Sequence, residues 1–391
     1  MFRFLTAGES HGPGLTMIVE GLPAGLFVDT SLIDADLRRR QGGYGRGGRM
    51  KIEKDRARFL SGVRHGKTLG SPITMQIDNL DWVNWEERMS AVPIEAETEA
   101  VTRVRPGHAD FTGAMKYGHQ DIRNVIERSS SRETAARVAV GGLCRQLLLT
   151  FGVVIHSHVL AIADVGYAAA RPFTAEAYPA EMWEAVEASP MRCADALLTE
   201  KMIARILEAK REGDTCGGIF EVVAFGVPIG LGSYSQWDRR LGARLGMALM
   251  SIPSVKAMEI GAGFAASQSA GSKVHDVLRH SEDGRWYHLS NNAGGIEGGI
   301  TNGEPVVARV GVKPIPTLAH PLPSVDLASG ENIDQSRYER SDVCVVPAAG
   351  VVGEAMMAIV LTEAVIEKFG GDSLDEMRRN YGALLVNQQE Q

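Results

Sequence analysis

Two hydrophobic patterns recur along the chain and predict its secondary structure. Alternating or short continuous apolar runs predict β-strands, and longer apolar repeats at helical spacing predict α-helices. The predicted strands are 15–20, 73–77, 153–161, 218–225, 255–260, 306–312 and a short one at 343–346. The predicted helices are 30–40 with Thr30 or Ser31 near its cap, 131–150, 199–210, 235–252 capped by Ser235, and 354–369. Strands and helices interleave without the regular alternation of a barrel, which favours an α/β chain of α+β type.

Long glycine-rich segments separate these elements. Residues 38–49, 101–119 and 261–303 are predicted as loops, and the polar C-terminal end is expected to fray. Structureless loops of this length in a compact chain are usually binding loops. No segment looks like an interdomain linker, so residues 1–391 are predicted to form a single domain.

Charge is unevenly distributed. The chain has a formal net charge of −7, which argues against nucleic-acid binding by the whole surface. Residues 38–67 nevertheless contain eleven lysines or arginines and only two carboxylates, Glu53 and Asp55. A basic site on an acidic body indicates an anionic small molecule as ligand.

The cysteine pattern and the lengths of the apolar runs indicate the cellular compartment of the protein. The four cysteines are scattered, with no CxxC spacing that would indicate zinc or redox chemistry. This usage fits a reducing compartment. The N-terminus lacks the apolar core of a signal peptide, and no apolar run approaches the length of a membrane span. A cytoplasmic protein without a membrane role is the simplest expectation.

The stretch 123–134 (RNVIERSSSRET) places arginines and serines before a predicted helix. A helix start offers unpaired N–H groups and the positive end of the dipole, so a phosphate or carboxylate site is predicted here. Ser130 and Glu133 have capping-box spacing. The alternative is a capped helix with a solvated, charged start.

Two histidines lie in glycine-flanked turns that could expose them for proton transfer. His11 lies in GESHG (8–12), and His108 lies in RPGHAD (105–110), where Asp110 could orient its ring. Ser10 has the spacing of a nucleophile elbow, but an elbow needs a following helix and a strand is predicted instead. A metal site is disfavoured because helical ligand spacing is missing and the surrounding cations would repel a metal ion.

The Arg-Gly loop 38–49 has two interpretations. It is either an RNA-binding segment with Tyr44 for stacking or a lid whose arginines hold an anion, and the acidic chain favours the lid. Gly66-Lys67-Thr68 lacks the upstream glycine of a phosphate loop, so an NTPase is rejected. The glycines of 291–304 would suit a flat ring lying against backbone, but no GxGxxG follows a strand and a Rossmann site is not supported.

Taken together, eight motifs resemble the chorismate synthase family. They are GESHG (8–12), RRQGGYGRGGR (39–49), GKTLGSPI (66–73), RPGHAD (105–110), ERSSSRET (127–134), GGIEGGITNG (294–303), KPIPT (313–317) and RSD (340–342). The resemblance implies a carbon–oxygen lyase that forms chorismate and phosphate from 5-enolpyruvylshikimate 3-phosphate by 1,4-anti elimination. This is the last step of the shikimate pathway to aromatic amino acids. It also implies a β-α-β-α sandwich fold and a requirement for reduced FMN without net redox change.

The resemblance further implies residue roles. His11 would protonate or hold the reduced flavin, and His108 would face the leaving phosphate. Asp342 would help remove the proton with flavin N5, while Ser10 and Ser130 would relay protons. The implied cofactor residues are Arg128, Ser129, Ser130, Lys273, Val274, Gly298, Lys313, Pro314, Ile315, Pro316, Thr317 and Arg340. The implied substrate or NADP residues are Arg40, Arg46, Arg49, Arg105 and Arg132.

Partners and alternatives follow from the same comparison. The family implies a homotetramer without nucleic-acid or membrane partners. The chain lacks the large insertion associated with self-reducing members, so an external flavin reductase is expected, with NADPH only as an indirect reductant. A flavin-dependent oxidoreductase on a similar anion is the first alternative, and an RNA-binding protein is the second.

Overall fold

Two antiparallel sheets with helices between them form the architecture of the computed structural model. The structure describes residues 1–48, 53–95, 98–167, 172–282, 284, 286–339 and 342–389. The helices are α1 (Thr30–Gln41), α2 (Asp110–Tyr117), α3 (Arg123–Ser129), α4 (Thr134–Leu149), α5 (Ala180–Ala188), α6 (Ala196–Arg211), α7 (Leu241–Met250), α8 (Gly263–Ser267), α9 (Gly271–Val274), α10 (Val346–Phe369) and α11 (Leu374–Gln389).

The strands belong to two main sheets and four short hairpins. The first sheet contains β1 (Arg3–Ala7), β2 (Gly14–Glu20), β3 (Arg58–Ser61) and β6 (Ile73–Asp78). The second contains β7 (Val154–Ile162), β8 (Val165–Gly166), β9 (Gly218–Phe225), β10 (Val255–Ile260) and β15 (Val306–Val312). The hairpins pair β4 (Val63–Arg64) with β5 (Lys67–Thr68), β11 (Leu278–His280) with β12 (Trp286–His288), β13 (Ile296–Glu297) with β14 (Ile300–Thr301), and β16 (Ser324–Val325) with β17 (Asn332–Ile333).

The four-stranded sheet has the order β1-β2-β6-β3 and is antiparallel throughout. Met17 lies directly opposite Met75, and both side chains are fully buried. Their neighbours along β2 alternate in burial because successive side chains of a strand point to opposite faces. One face of this sheet therefore covers the core, and the other is open.

The five-stranded sheet has the order β10-β15-β9-β7-β8 and covers the core from the other side. Phe220 and Val222 of β9 belong to the main core cluster. Val223 points to the opposite face, where it joins Val307 and side chains of α5 such as Val186 in a second cluster. Both faces of this sheet are thus covered, as its continuous apolar runs require.

Helices α4 and α10 form the layer between the two sheets. Glycine lets them approach closely, because a Cβ on Gly141 would lie 2.3 Å from the Cβ of Ala355. Helix α4 also contacts β2 and β6, while α10 contacts β7 and β9. With α5 on the outer face of the second sheet, the layers are sheet, helices, sheet and helix. The predicted β-α-β-α sandwich of α+β type is confirmed.

Helix α10 is long and apolar enough to cross a membrane by length and composition, but 89% of its apolar window is buried inside the fold. It also contains Glu354, which is fully buried and ion-paired with Arg39, Arg145 and Arg192. This degree of burial is typical of a core helix in a globular fold. The charged cluster ties α1 and α4 to α10.

The predicted strands agree well with the structure. The bounds of β9, β10 and β15 match the prediction at both ends, and β2, β6 and β7 differ by a residue or two. The strand predicted at 343–346 is wrong. Cys344 makes only an isolated bridge to Cys216, and α10 starts at Val346 because Pro347 suits the first turn of a helix.

Several helix and loop predictions need correction. Helix α1 is capped by Asp29, directly before Thr30, and the Asp29 side chain accepts a hydrogen bond from Ser31 N. The loop predicted at 38–49 begins later, because α1 runs to Gln41. The loop predicted at 101–119 contains α2, and the helix predicted at 235–252 shortens to α7 with no cap from Ser235.

The C-terminal end is also ordered differently from the prediction. The polar tail expected to fray forms α11, which buries Leu374 and Met377. The ring of Tyr381 lies 5.1 Å from that of Phe369 at the end of α10. Two or three apolar side chains are enough to dock α11 on the core. They are hard to recognise in the sequence because most residues around them are polar.

Replacing Glu354 tests the buried charge cluster. Glu354→Gln leaves one buried and two partly buried arginines without their shared, fully buried counter-charge, so we expect a loss of about 3–5 kcal/mol in the free energy of unfolding. Chemical denaturation near neutral pH measures this loss. Glu367→Gln is the matched control, since Glu367 pairs two arginines at the surface and should cost about 1 kcal/mol or less. Equal effects would contradict a special role for the buried cluster.

Acid titration provides a second test of the same cluster. Burial alone would raise the pKa of Glu354, but the charges of Arg39, Arg192 and Arg145 outweigh burial and hold it far below its ordinary value of 4.5. A depressed folded-state pKa stabilises the protein above the unfolded value, and this stability is lost as pH falls below it. Denaturation from neutral pH to about pH 3 should therefore show a steeper loss for the native protein than for Glu354→Gln. Parallel curves would overturn the assignment.

Candidate active site

The first functional pair joins His11 to Glu127. His11 lies in the turn between β1 and β2, and Glu127 lies on α3. Glu127 accepts a hydrogen bond from the His11 backbone N at 2.8 Å and contacts Nδ1 at 3.0 Å. The indole of Trp85 stacks on the imidazole at 3.8 Å between centroids. The ring is thus fixed on one edge and on one face.

The ionisation of Glu127 decides the hydrogen-bond direction. Its burial would raise its pKa, but hydrogen bonds from His11, the charge of that ring and a bond from Arg123 hold the pKa below its ordinary value. A carboxylate only accepts hydrogen bonds, so Nδ1 of His11 is the donor. Nε2 is then the ring nitrogen that Glu127 does not engage, and it can act on a ligand.

The second functional pair joins His108 to Asp110 at the start of α2. Asp110 contacts Nδ1 of His108 and accepts hydrogen bonds from Nε and Nη2 of Arg105 at 2.8 and 3.0 Å. Burial would raise the pKa of Asp110, but the bonds from His108 and Arg105 and the charge of Arg105 hold it well below its usual range. The expectation that Asp110 orients the ring agrees with this geometry.

Lys313 and Thr317 border this second pair. Thr317 accepts a hydrogen bond from Arg105 at 3.1 Å, and Nζ of Lys313 donates one to the carbonyl of Gly107 at 3.1 Å. Burial, reinforced by the charge of Lys256, lowers the pKa of Lys313. The KPIPT segment is therefore brought next to His108, as an anion-binding role for it requires.

Arg40, Arg46 and Arg132 form a three-arginine cluster. Burial and then the charges of Arg46 and Arg132 lower the pKa of Arg40 to about 10, against the opposing charges of Asp55 and Glu53. Arg132 donates to Asp55 at 2.6 Å. Positive charges concentrated in a buried place are costly, and a multiply charged anion would stabilise them.

The cluster has hydrogen-bonding capacity left among the described residues. Within 1–48, 53–95 and the rest of the described chain, Nη1 of Arg40 and Nε of Arg132 are buried and make no hydrogen bond. Buried donors in native proteins are nearly always satisfied. A bound anion is one way to satisfy them.

Asp342 lies at the edge of this cluster. Its carboxylate is 3.3 Å from Nε of Arg46 and accepts a hydrogen bond from the Gly47 backbone N. Gly45 has a φ of +88° and packs against Cys344, so the chain turns there without a side chain. The structure thus places the Arg-Gly loop on the segment that carries Asp342.

Ser10 and Ser130 connect the histidine side to the arginine side. The Ser130 hydroxyl donates to the Ser10 hydroxyl at 3.1 Å, and Ser10 N donates to the Glu127 carbonyl. Ser130 also caps the short 3₁₀ turn Ser131–Glu133, where Arg132 N donates to its hydroxyl. The predicted capping box is wrong, because the Ser130 hydroxyl accepts from Arg132 N and not from Glu133 N, and the Glu133 carboxylate pairs with Arg137.

The stretch predicted to form an anion site at the start of helix 131–150 has a different local geometry from the one expected. Residues 123–129 are not a loop before that helix but form α3, and Arg128 turns away to bond the carbonyls of Gly8 and Thr6. The hydroxyl of Ser129 donates to the Val125 carbonyl within the same helix. Of the arginines in this stretch, Arg132 alone joins the three-arginine cluster.

Other predicted residues lie apart from these groups. Asn292 donates to the carbonyl of Val274, next to Lys273 on α9, and Gly298 lies in the turn between β13 and β14 with a φ of +60°. Within the described part of the chain, no hydrogen bond or ion pair joins these three to the histidines or the three-arginine cluster. Arg49 and Arg340 lie outside the described residues. Pro314, Ile315 and Pro316 follow β15 beside Lys313.

Sequence reasoning missed Glu127, Trp85, Arg123 and Glu339 as site residues. Arg123 donates to Glu127 at 3.1 Å and to Glu339 at 3.1 Å. The i, i+4 spacing of Arg123 and Glu127 was a usable signal once 123–129 was seen as helical. Nothing local marks Trp85 or Glu339, which reach the site from distant loops.

Metal chemistry was disfavoured from the sequence. Among the residues that the structure describes, no group of three or more histidine, cysteine or acidic side chains is arranged to hold a metal ion. Arginines, in contrast, touch both histidine pairs. The arrangement can bind anions and move protons.

Comparison with known proteins identifies the family. A model of the family described as Chorismate synthase matches residues 2–366. The chain is 56% identical to a protein named chorismate synthase of Trichlorobacter lovleyi and 53% identical to one of Geobacter sulfurreducens, covering 97% and 98% of both members of each pair. This chain belongs to the chorismate synthase family. A solved structure titled Crystal Structure of Chorismate Synthase superposes with a TM-score of 0.82 at 42% identity, covering 100% of this chain and 99% of that one.

Inorganic phosphate tests whether the three-arginine cluster binds anions. We expect phosphate to raise the melting temperature, since a ligand that binds only the folded state stabilises it. Arg46→Ala should weaken phosphate binding about tenfold, because a charge-assisted hydrogen bond contributes about 1.5–3 kcal/mol. Its melting temperature without phosphate should change little, and a large drop would make Arg46 structural. Arg58→Ala, an exposed residue of β3, is the control and should bind phosphate normally.

Proposed function

We propose that this protein catalyses the chorismate synthase reaction, the 1,4-anti elimination of phosphate from 5-enolpyruvylshikimate 3-phosphate. Its family membership and full-length similarity to proteins of that name support the proposal. The observation that carries it is the juxtaposition of two histidine–carboxylate pairs with a buried three-arginine cluster. Elimination of a phosphate from an anionic substrate needs both charge neutralisation and proton control.

The arginines account for substrate binding. The substrate carries two carboxylates and a phosphate, which alone has about −1.5 to −2 charges near neutral pH. Arg40, Arg46 and Arg132 provide a concentrated positive field, and the planar guanidinium groups suit bidentate contacts with such anions. Arg105 and Lys313 extend this field toward His108.

The residues also fit a flavin mononucleotide. A Cβ on Gly298 would meet no atom within 4 Å, so a flat ring could approach the backbone there. The residues that would hold FMN are those of the family pattern, Arg128 to Ser130, Lys273, Val274, Gly298, Lys313 to Thr317 and Arg340. Reduced FMN, when bound, supplies an electron transiently and recovers it, so the reaction has no net redox change.

The histidines are assigned to proton control. Asp110 fixes the His108 ring with Nδ1 as donor, which presents the other ring edge to the leaving phosphate as acid or hydrogen-bond donor. Glu127 and Trp85 fix His11 in the same way, and we assign to it the protonation of the reduced cofactor.

Asp342 and the serines complete the assignment. Arg46 and Gly47 N hold the Asp342 carboxylate, and we assign to it the role of accepting the substrate proton. The hydrogen-bonded hydroxyls of Ser10 and Ser130 offer a short relay between the two sides of the site. A hydroxyl both donates and accepts, so it can pass a proton without changing its own charge.

The remaining assignments concern the protein as a whole. Main-core residues of both sheets belong to one hydrophobic cluster, which supports a single domain over residues 1–391. We further propose a cytoplasmic homotetramer that depends on an external flavin reductase, with NADPH only as an indirect reductant.

An anaerobic assay tests the reaction. Purified protein is mixed with 5-enolpyruvylshikimate 3-phosphate and chemically reduced FMN, and chorismate absorbance and released phosphate are followed together. We expect equal release of both products with the flavin still reduced at the end. Net flavin oxidation in step with turnover would favour the oxidoreductase alternative, and no product from folded protein would overturn the proposal.

Replacing the histidines tests their roles. General acid–base groups typically contribute about 100-fold or more to rate, so His11→Ala and His108→Ala should each lower kcat at least about tenfold. His280→Ala, an exposed histidine on β11, is the control and should retain full activity. A folded double variant of His11 and His108 with normal kcat would remove both from the mechanism.

Reduction of the flavin is tested separately. Protein mixed with FMN and NADPH in air should oxidise NADPH no faster than a buffer control, because a separate reductase is proposed. Adding a flavin reductase should restore rapid oxidation and, under anaerobic conditions, chorismate formation. Clear NADPH oxidation by the protein alone would show that it reduces its own flavin.

A further inference from the structure

A continuous line of alternating charges joins the two histidines. From His11 it runs through Glu127, Arg123 and Glu339. It continues through Arg105 and Asp110 to His108. The residues come from the β1–β2 turn, α3, the segment after β17, the segment before α2 and α2 itself. Glu339 is the centre of this line.

Glu339 is the only described carboxylate that contacts both arginines of this line. One of its oxygens accepts from Arg123 at 3.1 Å, and the other lies 3.8 Å from Arg105. Arg123 in turn donates to Glu127, while Arg105 donates through two atoms to Asp110. Glu339 therefore touches neither histidine but contacts the arginine behind each one.

Burial strengthens most of these contacts, although the Glu339 side chain itself is 26% exposed. The side chains of Glu127 and Asp110 are 2% and 0% exposed, Arg105 is 6% exposed and Arg123 is 13% exposed. Charges with so little solvent around them are weakly screened, and their interactions extend further than at the surface. Burial opposes ionisation of Glu339, but Arg123, Arg105 and Arg337 outweigh it and keep the pKa of Glu339 below its ordinary value.

We propose that Glu339 is a positioning residue that holds Arg105 and Arg123 in place and thereby couples His11 and His108 electrostatically. When the negative charge of Glu339 is removed, the charges of Arg105 and Arg123 are less compensated, and the electrostatic potential at both imidazoles becomes more positive. A change of protonation at one histidine is likewise transmitted along the line to the other. The proposal rests on the proposed function for its catalytic meaning, but the coupling is a property of the protein alone.

Other groups also face this line, among them Lys313, whose Nζ donates to the Gly107 carbonyl beside His108. Glu339 also accepts from Arg337 at 3.0 Å, and Arg123 lies over the Trp85 ring that stacks on His11. Thr317 accepts from Arg105 and carries no charge. Neutralising Glu339 therefore leaves Arg337 as well without a partner, which strengthens the positive shift.

The test follows the imidazole nitrogens by NMR in protein labelled with ¹⁵N-histidine, without substrate or flavin. At a fixed pH near neutrality, Glu339→Gln should move the ring signals of both His11 and His108 toward the neutral pattern. Arg123→Gln removes a positive charge and should move His11 in the opposite direction, toward the imidazolium pattern. Signals are assigned by replacing each histidine in turn, and melting temperature confirms folding.

Glu187→Gln is the matched control. Glu187 also pairs two arginines, Arg39 and Arg192, at partial exposure, but it contacts neither histidine pair. It should leave both histidine signals unchanged. If folded Glu339→Gln alters only one histidine, or neither, the coupling is wrong. If Glu187→Gln alters both equally, the effect is general charge and the proposal also fails.

Enzyme kinetics separate this proposal from the assigned reaction. In the anaerobic assay, Glu339→Gln should lower kcat about tenfold and displace the pH profile of kcat, with KM nearly constant, because general acid–base efficiency follows the protonation of its groups. A change in KM alone would make Glu339 a binding residue and overturn the positioning role. If the native protein forms no chorismate, the proposed function fails, while the NMR result still decides the coupling.

Discussion

Burying arginine is the constraint on which this structure depends. A guanidinium cannot shed its charge in a protein, so each arginine taken from water needs a carboxylate nearby. Glu354 serves three arginines between the helices, and Asp55 and Glu53 serve Arg132. The candidate active site also pairs buried arginines with carboxylates, but there the charges compensate one another less completely. Around Arg40, burial and the charges of Arg46 and Arg132 outweigh the opposing charges of Asp55 and Glu53, so a bound anion would stabilise this guanidinium.

The helical layer brings these charges to one place. Gly141 lets α4 and α10 pack closely, and Glu354 of α10 ties Arg39 of α1 to the pair. Arg40 follows Arg39 directly and turns to Thr134 at the start of α4. The ends of α1, α3 and α4 thus meet at the three-arginine cluster. Packing of these helices in the core fixes the backbone that carries Arg40 and Arg132. In a loop alone, the same side chains would not be held in one place.

The candidate site was only half visible in the sequence. Its histidines, its arginines and Asp342 lie in short motifs whose composition is unusual enough to be noticed. The sequence around their partners is not unusual. Glu127 has the spacing of an ordinary i, i+4 ion pair with Arg123 on a helix, and Glu339 lies in an ordinary polar segment. The fold places both carboxylates on Arg123, and only Glu127 also contacts an imidazole. Spacing along the chain carries no information about the contact between Glu339 and Arg123.

The sequence by itself predicted six strands of the two main sheets, the class of fold, the family and the residue types of the candidate site, but not β1, β3 or β8. Strand bounds such as those of β9 and β15 follow from continuous apolar runs, which are a local property. Only the tertiary structure decided that 123–129 is helical, that the polar tail docks as α11, and which carboxylate meets which arginine. Those outcomes depend on packing and charge pairing between different segments of the chain, whose energies no local pattern contains.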